Sequence, residues 1–371
     1  MDRPAFFSPD EIDRDEWRSF IQRAASYPLY AHPDLMEWIV PEGREFLVYT
    51  DRVGGEIRTM AVLAQHPVYT LRRMRRLGRL DGWRLVGDRL AGIADEAAHE
   101  RFAAACVDLL GRRGSDCLFL EVAEVGSPLW EAASAMGSRP HGPSIVYPQA
   151  QAEHWLLRFP DPAEDYWKTL TSSRRNSMRR KVKRFEHRVE VVTRVDQVDE
   201  LLRASSAVAE ESWQGQRLSM GVPTGRRGHT RYATMAELGA LRSYVLYHEE
   251  QPVAFIFGYQ WRDEYHYVRP GYDRRFADQG PGAVLLFRLI EDLIAHRTPA
   301  VLDFGYGHAD YKERLATEHV MTGPITLNAK NLRTRTALTL GRVRDMADVG
   351  VRRVLRQAGV YEKVRRAYRR L

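Results

Sequence analysis

Ten consecutive residues, Asp303 to Lys312, carry two acids, an imidazole, two phenols and an ammonium. The members able to take, return or neutralise a proton are Asp303, His308, Asp310, Tyr311 and Lys312. Asp303 lies in the mainly apolar run 300–304, which reads as a buried strand. Desolvation there would raise a carboxyl pKa towards a range useful to a base. Glu210 and Glu211, closing an earlier helical run, are further candidates. Upstream, Asp278-Gln279-Gly280-Pro281-Gly282 forms a turn before an apolar helical stripe of Ala283, Val284, Leu286, Leu289, Ile290 and Ile294. Backbone N–H groups at a helix start attract anions, and glycines let the anion come close. The alternating run 264–268 reads as a strand leading into that turn. Strand, glycine turn, helix and polar-tipped strand together suit a phosphate-bearing ligand, although Gly-Pro-Gly alone also makes turns that bind nothing.

A second informative stretch begins at Thr171. A Ser or Thr cap there precedes a helix whose apolar positions Met178, Val182, Phe185 and Val189 recur at helical spacing. Seven cations lie between Arg174 and Arg184 with no acid among them. Nothing at i+4 compensates their repulsion. Either a solvated face or an anion-facing helix accounts for them, and the cations cover more than one face.

Together with the segment DFGxGxxxYK at 303–312, the glycine turn and basic helix resemble the GNAT acyltransferase superfamily. The likeness is closer to its long, two-lobed branch. That branch holds the Fem-type aminoacyl transferases and acetyltransferases associated with cellulose and exopolysaccharide genes. The resemblance covers residues 155–320 and implies an α/β (mixed α+β) fold of two tandem lobes, each with a mixed sheet flanked by helices. It further implies direct attack of an amine on an acyl thioester, with the carbonyl polarised, the amine deprotonated and no covalent enzyme intermediate.

By that resemblance, backbone at Tyr267, Val268 and Arg269 would meet the pantetheine arm and carbonyl oxygen. Gln279, Gly280, Gly282 and Ala283 would hold the pyrophosphate. Asp303 would be base or substrate anchor, Tyr311 the acid for the leaving thiolate, and Lys312 a neutralising charge, similar to the aromatic-Lys pair of Fem-type enzymes. Arg174, Asn176 and Arg180 would shape the donor or acceptor site, with Trp213, Tyr306 and His308 along the acceptor cleft. The glycine turn departs from the family pattern [QR]-x-x-G-x-[GA], and Pro281 removes one N–H donor. A carrier-protein thioester therefore stands beside acyl-CoA as donor, with an acidic acyl carrier protein as partner. The acceptor would be a small-molecule or peptide amine. A Fem-like alternative uses aminoacyl-tRNA, whose phosphate would suit the cations. A third is a non-catalytic protein on an anionic surface.

The elements that must position these residues fill a chain of 371 residues, beyond the usual size of one core. After the Pro- and Gly-rich passage 137–148, a linker near 147–153 divides a first lobe, 1–150, from a second, 151–330. The first has no glycine-rich turn feeding its long helix and reads as a degenerate, non-catalytic lobe. Residues 331–371 carry eleven Arg and one Lys against Asp345, Asp348 and Glu362, so the net +7 of the whole chain resides in this tail. Its apolar stripes suit helices packing back on the first lobe. No metal-ligand spacing, nucleophile elbow or P-loop is present, and no run approaches the ~18 apolar residues of a membrane span. The acidic N-terminus lacks signal-peptide order, which favours the cytoplasm. Cys106 and Cys117 read as buried small hydrophobes.

Overall fold

The computed structural model describes residues 4–40, 43–69, 79–112, 115–138, 142–146, 151–211, 222 and 225–339. Trp213, the arginine cluster Arg72–Arg76 and the tail beyond Thr339 lie outside the described residues. The chain divides into two units: residues 1–151 with 322–371, and residues 152–321.

In the first unit the short strand β1 (Ala5–Phe7) precedes helix α1 (Arg14–Arg23). Asp13 caps α1, its side chain accepting from the Asp15 N–H. A single-turn helix, α2 (Met36–Ile39), leads to β2 (Phe46–Val53) and β3 (Glu56–Tyr69), a hairpin closed at Gly54-Gly55. Next come β4 (Arg79–Leu85), β5 (Ala91–Gly92), α3 (Glu96–Arg112), β6 (Cys117–Glu124), α4 (Pro128–Ala135) and β7 (Ser144–Val146). β1 to β4 pair antiparallel in order, β4 pairs parallel with β6, and β5 pairs with β3. Leu63, Phe102, Leu118 and Leu129 fill the core between this sheet and its helices. Both cysteines are free and buried, Cys106 in this core and Cys117 against Leu80 and Ala337.

The second unit opens with β8 (Ala152–Arg158) and a single-turn helix, α5 (Tyr166–Thr169). Helix α6 (Ser172–Arg184) follows, capped by the Thr171 hydroxyl. It ends earlier than its apolar repeat suggests: Phe185 is the C-cap, and Val189 belongs to β9 (Arg188–Val192). Val189, Val191 and Val192 are β-branched, and pairing with the next strand outweighs helical spacing. Helices α7 (Val198–Glu210) and α8 (Gly225–Glu237) then lead into β10 (Ser243–His248), β11 (Gln251–Trp261) and β12 (Glu264–Tyr272). Residues 225–231 are polar and carry two glycines, yet they are helical. Buried Gly228, Tyr232 and Met235 give that polar segment an inward face. Helix α9 (Pro281–His296), β13 (Val301–Tyr306) and α10 (Asp310–Leu315) complete the unit, and β14 (Glu318–Asn328) carries the chain on. From Thr322 onward β14 pairs with β6 and β7 of the first unit.

The strand order in the second unit is β8-β13-β12-β11-β10-β9. Only β12 and β13 run parallel within it; the other neighbours are antiparallel. Leu285, Leu289 and Ile290 of α9 pack on Tyr265, Tyr267, Leu302 and Phe304 of the sheet.

Candidate active site

Two irregularities in the second unit's sheet make the site. β12 and β13 pair at only three positions, Glu264 with Val301, Tyr265 with Leu302 and His266 with Asp303, and then part. Beyond His266, β13 no longer pairs with the edge of β12 that faced it. The second irregularity is a bulge. Phe257 pairs with Arg269 but Gly258 with Tyr267, so Val268 is the extra residue, with its side chain exposed. β13 also bends, because Gly305 adopts φ +71°, a left-handed conformation that disfavours any larger residue.

The gap opens on a cleft of about 760 Å³. Its floor is Ile256, Tyr267 and Leu286, and one wall is the start of α9 at Gly280, Gly282 and Ala283. Gly280 is the N-cap of α9 at φ +67°, and Pro281 is its first residue. The opposite wall is Tyr306, His308, Tyr311 and Lys312, and α6 contributes Arg174, Ser177, Met178 and Lys181, spaced along one face. The structure therefore brings Tyr267, Gly280, Gly282, Ala283, Arg174, Tyr306, His308, Tyr311 and Lys312 to one cleft. Asn176 and Arg180 are exposed on other faces of α6, with Arg180 donating to the Asn176 carbonyl. Ser177 and Lys181 take the places expected of them. Gln279 is exposed at the end of a 3-10 turn rather than on the cleft wall.

Asp303 is not among the residues lining this cleft. Side chains alternate across a strand. Leu302 and Phe304 face α9, so Asp303 faces the other side of the sheet. There its Oδ1 lies 2.6 Å from His154 Nε2 and its Oδ2 3.2 Å from His266 Nδ1. Oδ1 also accepts from the Gly305 N–H at 2.6 Å. Burial alone would push the carboxyl pKa up, but hydrogen bonds from the two histidines outweigh it and hold the group well below the usual carboxylate range. An acid so firmly ionised and so fully engaged makes a poor base. His266 responds in the opposite sense. Burial would lower it, yet hydrogen bonds with Asp303 and Glu264 raise it to about 9. The His154-Asp303-His266 cluster ties β8, β13 and β12 together at the fork of the cleft.

On the cleft side, burial raises the Tyr311 hydroxyl pKa, opposed by a hydrogen bond with Tyr267. The phenol therefore holds its proton at neutral pH. Lys312 is buried, and its Nζ donates to the carbonyls of Gly305 at 3.1 Å and Tyr306 at 3.0 Å. Burial lowers its pKa while the Asp303 charge works against that. The ammonium fixes the bent end of β13. His308 stands at the mouth, its Nδ1 3.3 Å from Glu153 Oε2.

Three features escape sequence reading: Lys181 beside Gly280, the two histidines around Asp303, and Glu153 behind His308. Lys181 alone carries a signal, lying one helical stripe along from Arg174.

Antiparallel strands leading to a parallel pair that splays over a cleft, with a helix start on one wall, are the architecture of a GNAT-type domain. Residues 172–313, within the second unit, match the family model described as an acetyltransferase (GNAT) domain. FemX matches in structure with TM-score 0.61 at 11% identity, covering 89% of this chain and 98% of that one. L-PGS from Bacillus licheniformis gives 0.55 at 14% identity, over 89% and 96% of the two chains. A conserved protein of unknown function from Bacteroides thetaiotaomicron gives 0.53 at 12%, over 87% and 100%. At these identities the likeness is one of fold. No curated protein sequence matches the chain. Among the described residues no helix is long and apolar enough to cross a membrane.

Proposed function

We propose that the second unit moves an acyl group from a thioester to an amine by direct attack. The observation that carries this reading is the fork between β12 and β13, which opens above a cleft containing the Tyr311 hydroxyl. A pantetheine arm lies along the edge of β12 that β13 leaves beyond His266, extending the sheet through its backbone amides. The same edge offers an N–H to the thioester carbonyl oxygen, and the Val268 bulge re-aims the groups around it.

Chemistry follows from the two protonatable groups at the cleft. With the Nδ1 proton of His308 donated to Glu153, Nε2, which lies 4.0 Å from Asp310 Oδ1, is the nitrogen that accepts one. The amine nitrogen attacks the carbonyl carbon; a C–N bond forms, and Nε2 takes the proton that nitrogen sheds. The C–S bond breaks, and the thiolate takes the Tyr311 proton. Passage of the proton from His308 to Tyr311 restores both groups, and the products are an amide and a free thiol. Lys312 holds the Gly305 and Tyr306 carbonyls in place, and its charge favours the oxyanion and thiolate. This assigns the base to His308 rather than Asp303.

The test is amine-dependent release of thiol from acetyl-CoA and acetyl-pantetheine across a panel of primary amines and amino-terminated peptides. Tyr311→Phe should lower kcat by ~100-fold with little change in KM, and His308→Ala should lower kcat/KM for every amine in the panel. Absence of amine-dependent release from either thioester overturns the reading.

A further inference from the structure

Helix α6 carries Arg174, Arg175, Arg179, Arg180, Lys181, Lys183 and Arg184 within 13 residues and no acid. Among the described residues none of the seven is in an ion pair. Arg174, Arg175 and Arg180 donate only to backbone carbonyls. Arg179, Arg180, Lys183 and Arg184 are exposed. Three pairs, Arg175–Arg179, Arg179–Lys183 and Arg180–Arg184, are like charges at i,i+4, each costing the helix ~0.2–0.5 kcal/mol. An anion outside the fold would relieve this repulsion. The same helix also enters the cleft. Lys181 is one of its lining residues, and its Nζ lies 3.7 Å from where a Cβ at Gly280 would stand, against the start of α9.

We propose that the exposed face of α6 docks an acidic acyl carrier protein, whose phosphopantetheine arm enters the cleft with its phosphate between Lys181 and the start of α9. This rests on the thioester reading above. A single phosphodiester fits the anchor better than the two linked phosphates of coenzyme A, because Pro281 leaves the first helical position without a donor. Protein suits the face better than RNA. α6 carries no aromatic side chain on which an unpaired base would stack, and its length of roughly 20 Å matches one helix of a small partner. Opposite charges on the two faces also speed encounter.

The probe is a fluorescently labelled holo acyl carrier protein with an acetylated arm, titrated against the full chain at low and raised salt. The variant Arg179→Glu/Lys183→Glu/Arg184→Glu should weaken carrier binding at least ~10-fold and flatten its salt dependence. Thiol release from acetyl-pantetheine should stay unchanged in it, and Arg184→Glu alone should act in the same direction with smaller size. Carrier binding unaffected by the charge reversal overturns the proposal, and so does a transfer RNA that displaces the carrier and binds more tightly. Should no thioester release thiol with any amine, the reaction assigned to the cleft fails, while the carrier titration still decides the docking surface.

Discussion

Asp303 shows how much a neighbour decides about a titratable group. Burial by itself would make it a candidate base; two imidazoles turn it into a fixed anion whose partner, His266, holds a proton up to about pH 9. The consequence for stability has a definite sign. A histidine whose folded pKa of about 9 lies above its ordinary ~6.5 stabilises the fold fully below the lower value and progressively less up to the higher. Denaturant midpoints should therefore fall between pH 7 and pH 9.5. Asp303→Asn, which removes the anion facing both histidines, should lower the midpoint at pH 7 and flatten that fall. Equal slopes for the two proteins would show that the cluster contributes nothing through titration. Part of this was legible beforehand. Leu302 and Phe304 flank Asp303, and strand alternation sends it to the face they avoid. What the residue order hides is that His154, about 150 positions away, arrives on the neighbouring strand.

At the scale of elements, local rules predict well wherever the signal stays local. Thr171 caps α6, the apolar stripe after Gly282 forms α9, and the alternating run after Asp263 forms β12, as propensity and periodicity imply. Two elements break the pattern. The valines of 189–192 fit a helical stripe or a strand, and only the partner strand β10 settles the matter. Residues 225–231 look like a polar loop, but Gly228 and Tyr232 find a buried surface. The turn at Gly280 is the element on which the cleft most depends. Its φ of +67° costs an L-residue ~1 kcal/mol or more, and α9 starts from it. Gly280→Ala should lower stability by about 1 kcal/mol in thermal or urea unfolding. It should also raise KM for the thioester, since the first turn of α9 shifts with the cap. A fully stable variant with unchanged KM would show that the turn accepts another conformation and that the α9 start is not the anchor.

The whole chain poses the question of what its basic end is for. Composition places the excess charge at 331–371, and charge alone suggests an external anion. The described start of that segment shows a different use. Asn331 accepts from the Thr334 N–H and begins a helical stretch, Ala337 is buried against Leu80 and Cys117, and Arg333 lies 3.1 Å from Asp81 Oδ2 and 3.3 Å from Asp116 Oδ2. Asp116 is only 2% exposed, and its other recorded partner at Oδ2 is the Asp81 N–H at 2.9 Å. Arg333 thus neutralises a buried carboxylate of the first unit, a role that a count of charges along the sequence does not reveal. Removing one partner of a buried charge leaves the other uncompensated, whereas the exposed half of the guanidinium limits the loss to about 1–2 kcal/mol. Arg333→Ala should therefore lower the unfolding temperature by a few degrees. It should leave thiol release per folded molecule and carrier binding as they are, since both belong to residues 152–321. A double variant with Asp116→Asn should recover most of the loss, because an amide in that place carries no charge to neutralise. If Arg333→Ala unfolds at the wild-type temperature, or if Asp116→Asn gives no recovery, the contact does not anchor the chain's return to the first unit. The basic segment from its first turn would then be available to an outside partner.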